Sequence, residues 1–203
     1  MRKMPRTKLI PRREYVRDAR LFVIAVEGEK TEAQYFSLFR SNRIHIEILP
    51  TGPDGLSAPK LVLERLARFE ERFDLDSDDE RWLVCDVDGQ RGQFLDEVTR
   101  DAQGSRYQLA FSNPCFELWL LLHFADPLMQ EVDCSVVEAR LRQKLGSYNK
   151  SRLDLNLYGA TNIQSAIDRS KALESPDQRL RWPACPGTHV YRLVEKIRPT
   201  YTL

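Results

Sequence analysis

Two aspartates stand two residues apart at the close of an apolar run, in Cys85-Asp86-Val87-Asp88-Gly89. In an extended segment residues i and i+2 leave the same face, so both carboxylates point the same way. Like charges that close repel one another unless a cation lies between them. Hard oxygen donors of this kind suit Mg2+ or Mn2+, one or two ions, bound through a few carboxylates and several waters. Taken alone, the D-x-D-G pattern also describes a solvated turn. A second acidic group, Glu27-Gly28-Glu29-Lys30-Thr31-Glu32, closes another apolar run, residues 21–26. Acids in the first turn of a helix favour its dipole, and Glu29 or Thr31 read equally well as caps. Glu27 is harder to explain that way, because a carboxylate at a partly buried sheet rim needs a partner or a task. Lys30 reads either as a cation for a phosphate or as an exposed side chain.

A third segment, Ser112-Asn113-Pro114-Cys115-Phe116-Glu117-Leu118-Trp119, places one acid in the first turn of an otherwise apolar helix. A buried carboxylate requires a partner, a metal or a raised pKa, although a helix N-terminus also stabilises it. Glu117 is therefore a candidate ligand or base. His123, six residues on and on another face, reads as a satisfied core or helix-end histidine.

The elements that must position these groups follow from periodicity. Residues 21–26 and 81–85 are short apolar runs suited to strands covered on both faces, and 45–49 and 107–111 complete a set of four. Helical spacing appears from Glu29, with Ala33, Phe36 and Phe39 on one face. It recurs at Val62, Leu66, Phe69 and Phe73 behind a Ser57 cap, over 94–101, and over 115–124, with Pro114 inside the first turn. Further helices are predicted around 135–145, 161–174 and 187–197. The alternation argues for an α/β fold, a Rossmann-like, mainly parallel sheet of about four strands flanked by helices. Right-handed crossovers then bring the strand C-termini to one rim, where such folds place their chemistry. Both acidic motifs fall there. The chain divides into a basic arm (1–18), an α/β core (19–125) and a helical C-terminal extension (126–203).

The 203 residues, 42% of them hydrophobic, allow one domain with a full core. No run approaches the roughly 18 apolar residues of a membrane helix, and the N-terminus lacks a signal-peptide core. A cytoplasmic protein with no membrane partner is expected. Cys85, Cys115, Cys134 and Cys185 are scattered without a C-x-x-C pair, which reads as buried free thiols in a reducing compartment and argues against structural zinc. The net charge of +1 conceals an asymmetry. Residues 1–20 hold eight Lys/Arg against two acids, 70–101 hold twelve acids against four arginines, and from 139 onward bases lead twelve to five. Basic ends around an acidic middle suit a polyanion held about a metal-loaded centre, or a solvated tail and helix faces. Arg12 and Arg13 in the arm, with Lys150 and Arg152 further on, are the candidate nucleic-acid contacts. Neither a P-loop, a dinucleotide turn nor a nucleophile elbow is present, so an ATP-driven step would need a partner chain.

The segments 26–36 (V-E-G-E-K-T-E-A-Q-Y-F), 84–88 (V-C-D-V-D), 112–124 (S-N-P-C-F-E-L-W-L-L-L-H-F) and 186–195 (P-G-T-H-V-Y-R-L-V-E) together resemble the RloB-like family. The order, spacing and most of the length fit. The resemblance implies a Toprim-like core, in which a Glu after the first strand and a D-x-D after the third bind divalent metal. Carried over, these are Glu27, Asp86 and Asp88. Glu32 matches a further acid of the nuclease branch, with one residue more in the interval. The resemblance also implies an effector of bacterial phage defence, of the abortive-infection kind, encoded beside an ABC-class ATPase. The expected activity is metal-dependent hydrolysis of phosphodiesters in DNA or RNA, with Glu27, Asp86, Asp88, Glu117 and Lys30 at the reaction centre. Two rivals stand beside it. One is a haloacid-dehalogenase-type phosphatase, with Asp86 as nucleophile, against which Gln90 and the long upstream stretch argue. The other is a non-catalytic module that senses nucleic acid or docks on the ATPase. Oligomeric state, homo-oligomers included, stays open.

Overall fold

The two apolar runs that end in acids become neighbouring strands. β1 (Arg20–Val26) and β3 (Glu80–Asp86) pair in parallel with Val26 opposite Val84, so both chains reach the same rim together. β2 (Ile44–Leu49) lies outside β1 and β4 (Gln108–Asn113) outside β3, again parallel. A two-residue strand, β5 (Gly187–Thr188), pairs antiparallel with the end of β4, giving the order β2-β1-β3-β4-β5. The computed structural model describes residues 19–51, 59–87, 92–127, 130, 132–174 and 181–198. The basic arm with Arg12 and Arg13, the Ser57 cap and Asp88 lie outside the described residues.

Side-chain alternation divides the sheet between two cores. Phe22, Ile24 and Val26 of β1 and Trp82 and Val84 of β3 face one side. There they meet α1 (Thr31–Phe36), α4 (Phe116–Leu122), α5 (Cys134–Leu145), α6 (Ala160–Ala172) and α7 (Val190–Ile197). Val23, Ala25, Leu83 and Cys85 face the other side, against α2 (Pro59–Arg72) and α3 (Gly92–Gly104). The predicted stripe Val62, Leu66 and Phe69 of α2 is buried there. All seven residues of α4 are buried, as its nearly all-round apolar surface requires. Each of its large apolar side chains stabilises the fold by roughly 1.5–3 kcal/mol. Among the described residues, no helix is long and apolar enough to cross a membrane.

Three expectations need correction. The sheet has a fifth strand, because residues 187–188 pair with Ser112 and Asn113 at the end of β4 instead of starting the last helix. A Cβ at Gly187 would lie 2.6 Å from the Ala184 carbonyl oxygen, so the glycine lets the chain just before this strand turn tightly. Pro114 is not inside the first turn of α4: Asn113 is still in the strand, the Asn113–Pro114 peptide is cis, and extended Cys115 is the N-cap. The first helix is shorter than its pattern, running from Thr31 to Phe36 before a 3-10 turn over Ser37–Phe39. Its buried face is Thr31, Glu32, Tyr35 and Phe36, with Ala33 only half-buried, because the core it meets contains the aromatic cluster of α4. In the C-terminal third, Val137, Leu141, Ala166, Val190 and Leu193 share one core with Phe22 and Trp119.

Candidate functional site

β1 hands the chain to Glu27 while the ladder still holds, with the Glu27 N–H donating to the Val84 carbonyl at 3.0 Å. The Glu27 side chain then crosses to the neighbouring strand, where Oε2 accepts the backbone N–H of Asp86 at 2.9 Å. Asp86 in turn accepts, at Oδ1, the N–H of Phe116 at 2.9 Å. That N–H opens α4 and has no acceptor within its own helix. The loop after Glu27 is closed from two sides. Thr51 donates its hydroxyl to the Glu27 carbonyl and its N–H to the Gly28 carbonyl. Glu32 folds back from the first turn of α1, and its Oε1 accepts the Gly28 N–H at 2.9 Å. A Cβ at Gly28 would lie 2.0 Å from the other Glu32 oxygen, so the missing side chain is what lets that carboxylate sit over the loop.

Glu117 arrives from a different direction, in the first turn of α4 and 5% exposed. Its Oε1 accepts the Tyr148 hydroxyl at 3.0 Å and lies 3.0 Å from Lys150 Nζ. The same ammonium is 2.7 Å from Glu138 Oε1. The backbone of this loop is anchored as well, since the Lys150 carbonyl accepts from Thr31 Oγ1 and Gln34 Nε2.

Four acids therefore act on one another across the rim. Burial lifts the Asp86 carboxyl well above its ordinary range, and the charges of Glu32, Glu27 and Glu117 push it the same way against the pull of the Phe116 N–H. Burial also raises Glu32, with its backbone hydrogen bonds opposing and the charge of Glu117 adding. At Lys150 burial works against the ammonium, but the carboxylates of Glu138 and Glu117 outweigh it and the pKa rises. The donor set is all oxygen, acidic and mutually repelling, which is the chemistry a hard divalent cation relieves. Among the described residues, one trio of ligand-type side chains has its donor atoms all within 4.8 Å, and it is Cys115, Glu117 and Cys134. Glu27, Glu32 and Asp86 do not form such a trio, and an ion held among them would keep waters in its shell, as Mg2+ does.

The structure thus brings together Glu27, Glu32, Asp86 and Glu117. Lys30 is exposed, its Nζ 3.7 Å from Glu29. Lys150 is engaged by the acids, whereas Arg152 is exposed, with its N–H on the Asn149 carbonyl. Sequence reasoning missed Tyr148 and Glu138. The signal for Tyr148 was weak, a polar aromatic two residues before Lys150 in a loop; for Glu138 there was none, because only the fold brings α5 to α4. His123 is satisfied as expected, through Trp119 O and the Tyr35 hydroxyl, and burial holds its pKa down at about 4.

The cysteines correct another expectation. Cys115 and Cys134 are joined in a disulfide, while Cys85 and Cys185 are free. The pair is 19 residues apart in sequence, and it meets because the N-terminus of α5 lies against the N-cap of α4, with Cα atoms 5.8 Å apart.

Comparison with curated proteins and with solved structures finds no match. A family model described as RloB-like protein matches residues 22–197, which span both acidic motifs, α4 and β5, and the chain belongs to the RloB-like family.

Proposed function

We propose that the chain is a metal-dependent nuclease of the Toprim type that hydrolyses phosphodiester bonds in DNA or RNA. The observation that supports this most is the surroundings of Asp86: a buried carboxylate, fixed by the Phe116 N–H, facing three further acids. Such a group is costly in a metal-free fold and useful where a divalent ion is to be held. The residues that would hold the ion are Glu27, Asp86 and Glu32, with Asp88 beyond the described residues. When bound, Mg2+ or Mn2+ supplies an acidified water and screens the phosphate charge.

The chain's own groups do the rest. Glu27 fixes the backbone of Asp86 and thereby the direction of its carboxylate. Tyr148 and Lys150 hold Glu117 at the rim, where it adds negative charge behind the Asp86 carboxylate. Lys30, exposed beside the loop, would meet a neighbouring phosphate. Arg12, Arg13 and Arg152 add salt-sensitive affinity without sequence preference. In this reading the protein works in the cytoplasm beside an ABC-class ATPase, as the effector of a phage-defence system.

The test is incubation with Mg2+ or Mn2+ and plasmid, single-stranded DNA or tRNA, with and without the ATPase encoded alongside. Cleavage that needs metal and is lost in Asp86→Asn is the expected result. Cleavage unchanged in Asp86→Asn removes the assignment. Absence of both cleavage, even with the ATPase, and Mn2+ binding turns the reading to a non-catalytic module.

A further inference from the structure

We propose that the reduced protein carries a second metal site, for a thiophilic divalent ion such as Zn2+, formed by Cys115, Cys134 and Glu117. It does not depend on the nuclease reading. The two sulfurs and a Glu117 oxygen already lie within 4.8 Å of one another. Cys134 Sγ is 3.7 Å from Glu117 Oε2 and 3.7 Å from Glu138 Oε1. Thiolate and carboxylate are both zinc ligands, and two thiolates favour Zn2+ over the Mg2+ that suits the all-oxygen cluster. Spacing alone hides the site, because the cysteines come from different helices and form no C-x-x-C pair.

The positions are held in advance. Cys115 is the extended N-cap of α4, and Glu117 sits in the buried first turn of that helix. Cys134 opens α5, whose start is fixed by Asp133 accepting the Val136 N–H. Metal and disulfide exclude one another. A dithiol reductant breaks the S–S bond, each sulfur takes up one electron and one proton, and the reductant leaves as its own disulfide. Binding then releases the two thiol protons to solvent. With Zn–S bonds of about 2.3 Å in a tetrahedral shell, the sulfurs separate to roughly 3.7 Å. Side-chain rotation supplies this with the Cα atoms at 5.8 Å. The fourth position falls to water, since Glu138 Oε1 is held by Lys150 Nζ at 2.7 Å.

Glu117 is shared between this site and the acidic rim, and Phe116, between Cys115 and Glu117, donates to Asp86. Occupancy at the sulfurs should therefore be felt at Asp86 through the first residue of α4.

The full chain, reduced with a dithiol, freed of it under anaerobic conditions and titrated with Co2+, tests the proposal without using cleavage. The expected result is a thiolate-to-cobalt charge-transfer band that saturates at one ion per chain, is reversed by Zn2+, and is absent from the oxidised protein. Cys134→Ser abolishes the band and Cys185→Ser leaves it unchanged. Glu117→Gln weakens Co2+ binding by at least about tenfold, as loss of a direct ligand should. The oxidised and reduced wild-type chains need no variant to be compared. A reduced chain whose four thiols are all titratable after denaturation but which shows no band overturns the proposal, as does a band that survives Cys134→Ser or is lost in Cys185→Ser.

Discussion

At the amino rim of the sheet, Glu80 accepts from Arg20, Lys196 and Trp82 Nε1. Glu70 is engaged there by Arg81 and Tyr107, and Asp79 caps the backbone at Leu21 and Asp76. At the carboxyl rim, Lys150 serves Glu117 and Glu138, while Asp86 faces Glu27, Glu32 and Glu117. The same residue types are thus arranged in opposite ways. Amino-rim acids are matched to partly exposed cations or to backbone N–H groups, and each such ion pair contributes little beyond local order. Carboxyl-rim acids are gathered against their own repulsion, an arrangement better explained by binding than by folding. A cleft of about 920 Å3 lies along the amino rim, lined by these matched pairs.

The strongest attempt to break this contrast is Asp86→Asn. It removes one charge and keeps the shape, and the Asn Oδ1 still accepts from Phe116. Cleavage should fall on the order of 10^3-fold. Melting of the metal-free protein should move the other way. A carboxylate whose folded pKa is raised contributes stability below its unfolded pKa and loses it as pH rises through the folded value. At neutral pH the asparagine escapes that loss, so the variant should melt above the wild type. A lower melting temperature would show that Asp86 is a structural anchor.

Added Mg2+ or Mn2+ gives the next effect. An ion at about 100 times its Kd stabilises by roughly 2.7 kcal/mol, which is about 5–10 °C for a chain of this size. Thermal melts should show this increment in the wild type and very little of it in Asp86→Asn. Equal increments in both would place the ion elsewhere.

Much of this contrast was legible in the sequence. Two apolar runs ending in acids, read as strands of one mainly parallel sheet, deliver those acids to one rim, and the seven buried residues of α4 follow from its apolar surface. What could not be read was any contact between elements distant in sequence. Cys115 meets Cys134, and Lys150 meets Glu117, because α5 and the loop after it lie against α4. Neither residue carries a local pattern that names its partner. Gly187 was legible as a helix start and is a strand, since an unpaired end of β4 outweighed local propensity. At Pro114 the strand overran its expected end, and the helix began only where Phe116 found Asp86 as acceptor.

A smaller effect is expected from Gly28→Ala. The new Cβ collides with the far end of the Glu32 side chain, which can turn aside, so the fold should survive with little loss of stability. Displacing that carboxylate should weaken Mn2+ binding about tenfold, some 1.4 kcal/mol, by calorimetric titration. Unchanged affinity would take Glu32 out of the ligand set and leave Glu27 and Asp86 to define it.

The smallest effect belongs to the amino rim. Glu80→Gln keeps an acceptor for Trp82 Nε1 but removes the charge facing Arg20 and Lys196. Those cations have side chains 49% and 45% exposed, so water can take over much of what Glu80 provided. The cost should be about 1 kcal/mol, or roughly 2–4 °C in melting temperature. The decisive quantity is the Mn2+ increment measured on the same samples. If the two rims are independent, Glu80→Gln shifts both melts equally and the increment stays at its wild-type value. A reduced increment would mean that strand β3, which carries Glu80 at one end and Asp86 at the other, transmits a change across the sheet, and the rims would have to be treated as one system.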